Sequence, residues 1–164
     1  MDDELAYGDL YQWGRPADGH QKRSFGITGI LSNSDLPGHR KFIVISSQPY
    51  DWRSPKNDQL WQRVKYINNP CPDSYRLPTE TEWEDERQSW SSNDRTGAFE
   101  SPLKLPVAGY RQVNNSLIGV GFGGLYWSSS FFRSFSRNLL FDSSGAFITR
   151  DPRTCGLSVR CIKD

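Results

Sequence analysis

The chain has 164 residues and a formal net charge of +1, a length that suits one domain built around one substantial core. So even a balance argues against a nucleic-acid partner, which would call for a clear basic excess, and no segment approaches the apolar length that direct membrane insertion requires. Aromatic residues make up 13 % of the chain against a single methionine, which together with many Gly, Ser and Asn residues points to short strands and long loops.

The opening segment MDDELAYGDLYQW is acidic and polar, unlike a signal peptide. Either the protein is released inside the cell or an export segment has been removed. Residues 42–46, FIVIS, are the one strongly apolar β-branched run and read as a core strand. A proline-rich loop, QPYDWRSPKND, follows. Leu60, Trp61, Val64 and Ile67 then recur at helical spacing behind a cap at Asn57 or Asp58, predicting a first helix that ends at Asn68-Asn69-Pro70. A second helix is predicted within residues 71–90, where Thr79 and Glu82 match a capping box and Trp83 and Arg87 continue the face. Beyond Trp90, short apolar pieces (LKLPVAGYR, LLF, AFI, LSVRCI) alternate with Ser, Gly, Asn and Pro, with neither a repeat nor an interdomain linker. The expectation is one α+β domain over residues 1–164, with two helices and a loop-rich antiparallel sheet.

Residues that could carry chemistry are sparse. Gly119, Gly121 and Gly124 spell GxGxxG, but no helix follows to meet a pyrophosphate, so they read as a turning loop. Glu80, Glu82, Glu84, Asp85 and Glu86 crowd one helix, as acids near a positive helix N-terminus do. His20 and His39 stand beside no recognisable nucleophile. Cys71, Cys155 and Cys161 lack metal-ligand spacing. A bridge can join Cys71 to Cys161, while a reducing compartment would keep both as small buried hydrophobes. No enzymatic machinery is visible, and neither cofactor nor metal is expected. What stands out is Phe131, Phe132, Arg133, Phe135, Arg137, Phe147, Arg150 and Cys155, set among serines in loop-like contexts. Aromatic and arginine side chains gathered this way suit recognition, because they supply contact area at low entropic cost.

Several segments together resemble one family pattern: YGDLYQWGR at 7–15, DGH at 18–20, NPCPDSYRLPTETEWE at 69–84, LPVAGYR at 105–111, LYWSSS at 125–130 and GLSVRCIKD at 156–164. It is that of the formylglycine-generating-enzyme-like C-type lectin domains, including the Fibrobacter major paralogous domain. The RLPTE-x-EWE stretch and the closing SVRC are its most specific parts. The closing segment is similar to the variable region of proteins diversified by diversity-generating retroelements, in which a template is copied with errors at adenines and AAY codons scatter. Codons of the form NNY cannot encode Lys, Glu, Gln, Met or Trp, and none of these occurs between Ser128 and Ile162. By proportion, roughly five would be expected in a stretch of that length.

The resemblance implies a C-type lectin scaffold that holds the backbone while side chains on one face, within residues 125–161, change. Tyr126, Trp127, Leu139, Phe141, Val159 and Cys161 would be scaffold. Phe131, Phe132, Arg133, Phe135, Arg137, Leu140, Asp142, Phe147, Arg150, Asp151 and Cys155 would form the variable, ligand-binding face. Phe131, Phe132 and Arg133 cannot all point into a core from one short strand, so at least one should be exposed. The implied function is a binding protein whose target is an unknown protein or glycan on a cell surface, with display on a virion or cell surface. A non-diversified surface or lipoprotein binding module is the alternative, and a formylglycine-generating oxidase a more distant one. The chain departs from the oxidases in the contexts of Cys155 and Cys161. It also lacks the EPN, QPD and WND motifs of calcium-dependent sugar binders.

Overall fold

The computed structural model describes residues 6–24, 26–65 and 67–164; residues 1–5, on which the reading of the acidic start rests, lie outside it. In chain order the elements are β1 (Tyr11–Gln12), β2 (Ile27–Thr28), β3 (Phe42–Ile43), β4 (Tyr75–Arg76), α1 (Glu80–Gln88), α2 (Arg95–Glu100), β5 (Tyr110–Arg111), β6 (Leu117–Ile118), β7 (Gly124–Phe132), β8 (Phe135–Phe141), β9 (Ala146–Pro152), β10 (Gly156–Leu157) and β11 (Ile162–Lys163). Three of the four sheets are antiparallel: β1-β10-β5-β6, β11-β4 and the long meander β7-β8-β9. The fourth, β2-β3, is parallel, and isolated parallel bridges join Ser32 to Arg53, Gly109 to Gly124 and Tyr126 to Ser158. The architecture is α+β.

Helix α1 forms as the sequence dictates. Thr79 accepts the backbone N–H of Glu82, and the Glu82 carboxylate accepts that of Thr79, closing the capping box. Arg76 then grips the same Glu82 carboxylate through two donors at 2.7 and 2.8 Å. The acidic run is thus partly consumed by structure: Glu82 caps, Glu84 pairs with Arg87 at 2.6 Å, and Glu80 pairs with Arg137 at 3.3 Å.

The helix predicted between a cap at Asn57 or Asp58 and Asn68-Asn69-Pro70 does not form among the described residues. Trp61 and Asn68 take left-handed backbone conformations (φ 62° and 64°), which no right-handed helix accommodates. Only the adjacent Leu60 and Trp61 are buried, whereas Ile67 is 51 % exposed, so the apolar period never becomes a face. The second helix is instead the short α2, capped by Asp94. The FIVIS strand shrinks to Phe42–Ile43.

Two apolar clusters sandwich the β7-β8-β9 meander. Side chains alternate along β7: Tyr126 joins Leu139, Phe141 and the α1 residue Trp83 on one side, while Leu125 and Trp127 join Trp13, Trp52, Trp61 and Leu157 on the other. Burying an indole requires a partner for its N–H. Here the partners are backbone carbonyls: Trp83 donates to Trp127 at 3.1 Å, Trp127 to Tyr11 at 2.7 Å, and Trp13 to Ser128 at 2.9 Å. Strand β7 is therefore clamped from both sides. Gly124 opens it because a Cβ there would lie 2.5 Å from the Phe141 ring. With Gly119 and Gly121 at positive φ in the preceding turn, the GxGxxG spelling is turning and packing.

Cys71 and Cys161 are bonded, tying the C-terminal strand β11 to the segment before β4. Near the N-terminus His20 is fully buried, accepting from the Gln12 N–H at Nε2 (3.0 Å) and meeting Asp18 through Nδ1 at 2.7 Å. Burial pushes the imidazole down to about 4, against the pull of the Asp18 hydrogen bond. The unfolded chain protonates this group near pH ~6.5, so between there and about 4 it binds a proton the folded protein refuses. His20 therefore withdraws stability as the pH falls through that window. The expected NMR titration of its ring midpoint lies near 4; a midpoint at the ordinary value would mean the ring reaches solvent.

Candidate binding face

The meander outruns the helix that covers it. Helix α1 begins where its Glu80 N–H donates to Ser130 Oγ at 2.9 Å, and the β7-β8 hairpin continues past that point. The transition is a bulge: residues 128–130 of β7 lie opposite Arg137 alone, between the pairs Trp127–Asn138 and Phe131–Ser136. Serines suit it because their hydroxyls engage the backbone that the bulge leaves unpaired. Ser128 Oγ donates to the Arg137 carbonyl at 2.9 Å, and the Ser129 N–H donates to the Pro78 carbonyl at 2.8 Å.

Beyond the bulge, Phe131 and Phe132 point to opposite faces. Phe132, 37 % exposed, pairs across the hairpin with Phe135 and lies within 4.9–5.4 Å of three guanidinium carbons, those of Arg133, Arg137 and Arg150. Arg137 and Arg150 are direct cross-strand partners. Like charges placed opposite one another destabilise a sheet, and the negative face of the Phe132 ring only partly offsets this. Glu80 neutralises Arg137; among the described residues Arg133 and Arg150 enter no ion pair and donate no side-chain hydrogen bond. Phe135 stacks on Tyr50 at 5.7 Å. Phe131, on the other side of the hairpin, approaches Trp13 (6.5 Å) and Arg153 (5.6 Å).

Arg133 turns the hairpin with φ 57°, a conformation that usually falls to Gly or Asn. The left-handed backbone costs about 1–2 kcal/mol, more than its exposed stacking on Phe132 returns. Arg133→Gly should therefore raise folding stability by about 0.5–1 kcal/mol, read as a higher urea midpoint. A lowered midpoint would mean that the arginine side chain holds the turn.

The expected face is only partly assembled. Phe132, Arg133, Phe135, Arg137 and Arg150 gather, while Phe131 lies on the other side of the hairpin. Leu140 and Phe147 pair with each other on the opposite side of the sheet, where Leu140 packs against the second cluster and Phe147 stays exposed. Asp151 lies on that side too, accepting from Asn138 at 2.9 Å, and burial raises its pKa. Asp142 sits at the far end of β8, bonded to Ser144 within the turn. Cys155 is a correction: it is 3 % exposed among Trp127 and Leu157, so it presents nothing to a ligand. Burial pushes its thiol up to about 12, with Asp151 adding to the shift, which removes thiolate chemistry at neutral pH.

Four contributors were not assigned to this face from the sequence. Tyr50 and Lys56 arrive from the proline-rich loop, Glu80 from α1, and Arg153 from beyond β9. Lys56 and Arg153 both donate to the Arg133 carbonyl, at 3.1 and 3.4 Å, pinning the hairpin tip. Their partners lie tens of residues away, so only the assembled fold discloses them.

Neither a family model, nor a curated protein, nor a solved structure matches this chain. The site must be read from its own geometry.

Proposed function

We propose that the chain is a ligand-binding protein of C-type lectin fold. Its hairpin face recognises a macromolecular target, and residues 125–161 are the variable region of a diversity-generating retroelement. One observation carries the recognition reading. Two arginines face each other across a sheet beside a half-exposed phenylalanine, an arrangement that costs stability and is repaid by a partner. Support for the division of labour comes from burial. The scaffold residues Tyr126, Trp127, Leu139 and Phe141 lie inside the two clusters, while Phe131, Phe132 and Arg133 are exposed. In support of a binding rather than an oxidase role, Cys161 is committed to Cys71 and Cys155 is enclosed. The disulfide also fits display in oxidising surroundings, on a particle or cell surface.

Because the face is peripheral, Phe132→Ala combined with Arg133→Ala should lower stability by less than about 1.5 kcal/mol. An unfolded double variant would make those side chains part of the core. The retroelement reading is tested by sequencing the locus. A near-copy of the coding segment for residues 125–161, with adenines opposite the codons of the gathered residues and a reverse transcriptase nearby, is the expected result. A locus with neither leaves a fixed lectin-like module.

A further inference from the structure

Resting on the recognition reading above, we propose that the occupant of the hairpin face is an acidic polypeptide segment, one carrying Asp or Glu side chains between apolar residues. The face is built from charge that lacks its complement. Three guanidinium groups converge on Phe132, and among the described residues only Arg137 has an acid, Glu80 at 3.3 Å. Glu80 shows what the other two lack, since a polypeptide carboxylate from a neighbouring element already satisfies one arginine of the cluster. A planar guanidinium suits a carboxylate because two parallel N–H donors match its two oxygens. Arg150 is free to offer that fork, being held over the Phe132 and Phe135 rings at 4.9 and 6.0 Å with no acid among the described residues. Contact with the rings restricts its position in advance, so less conformational freedom is lost on binding.

The aromatic content separates a peptide from a polyanion. Phe132 and Phe135, with Tyr50 stacked behind, offer apolar contact beside the charge, which suits an acidic residue flanked by apolar ones. A densely sulfated chain or a nucleic acid would instead meet Glu80, which is itself 41 % exposed, and a molecule whose net charge is only +1.

The test is selection of a random dodecapeptide library on the intact protein at low salt, run beside retention on heparin-agarose. The expected result is enrichment of Asp and Glu over the starting library. Binding of the selected peptides should weaken about tenfold or more when Arg133 and Arg150 are both replaced by alanine. Arg150→Lys, which keeps the charge without the fork, should lose much of that binding. Peptides selected without acidic bias, or unaffected by the arginine variants, would overturn the inference and leave the recognition reading standing. Heparin retention without peptide selection would assign the face to a sulfated glycan and overturn the inference as well. Failure of both probes would count against the inference and the recognition reading together.

Discussion

Replacing Arg153 by alanine is expected to cost about 3–5 kcal/mol of folding stability and to release the hairpin tip. The side chain is 1 % exposed and reaches Asp51 at 3.4 Å and Asp58 at 2.6 Å. Its guanidinium also lies 4.4 Å from the Trp13 ring and donates to the Arg133 carbonyl. Alanine would strand Asp51, a carboxyl that is itself buried and whose pKa burial already raises to about 6 against the pull of Arg153. An uncompensated buried charge, more than the lost attraction, sets the size of the effect. Asp51→Asn in the alanine background should therefore recover part of the loss, and a double-mutant cycle in urea measures it. Additive losses would mean that Arg153 acts through packing on Trp13 alone. Ligand binding should fall with stability here, because the residue that anchors the core also positions the face.

Replacing Cys71 and Cys161 by serine should cost about 4–5 kcal/mol, from the chain entropy regained when a loop of that size is opened in the unfolded state. The bond spans 90 residues and fastens β11, whose pairing with β4 is otherwise two residues long. Arg76 and Asp164 add an ion pair at 2.6 Å, but one that is too exposed to substitute for a covalent link. For a chain of this size the loss corresponds to a fall in Tm on the order of 10 °C. Thermal melts with and without a reductant read it directly. An unchanged Tm would mean that the terminal strand is held by its other contacts.

How much the sequence disclosed depended on how local each device is. The Thr79–Glu82 capping box and the alternation Leu125-Tyr126-Trp127 are short-range patterns, and both are realised. The helix expected at residues 58–67 was defeated by Trp61, whose left-handed backbone turns its indole inward to Trp13 at 5.8 Å. Strands β8 and β9 were read as short pieces because Ser136, Arg137 and Asn138 in one and Thr149, Arg150 and Asp151 in the other interrupt their apolar pattern, yet each runs to seven residues. Those interruptions mark the half of the meander that no helix covers. Cys155 was placed on the face by its loop-like context and the resemblance; its neighbours Thr154 and Gly156 are buried with it, and Thr154 bonds to the Ile45 carbonyl. That at least one of Phe131, Phe132 and Arg133 is exposed was legible from strand geometry; that all three are was not. The convergence of Arg133, Arg137 and Arg150 on one ring was not, since it depends on register across the meander.

Under the proposed function, the meander is a fixed scaffold that carries an exchangeable tip. Saturation mutagenesis of residues 126–161, read by protease resistance of each displayed variant, tests it most directly. Phe131, Phe132, Arg133, Phe135 and Arg150 should accept most substitutions with little loss of resistance, while Tyr126, Trp127, Leu139 and Phe141 should accept almost none. Equal intolerance at both sets would contradict it, making the tip part of the core and leaving the arginine cluster without a recognition role.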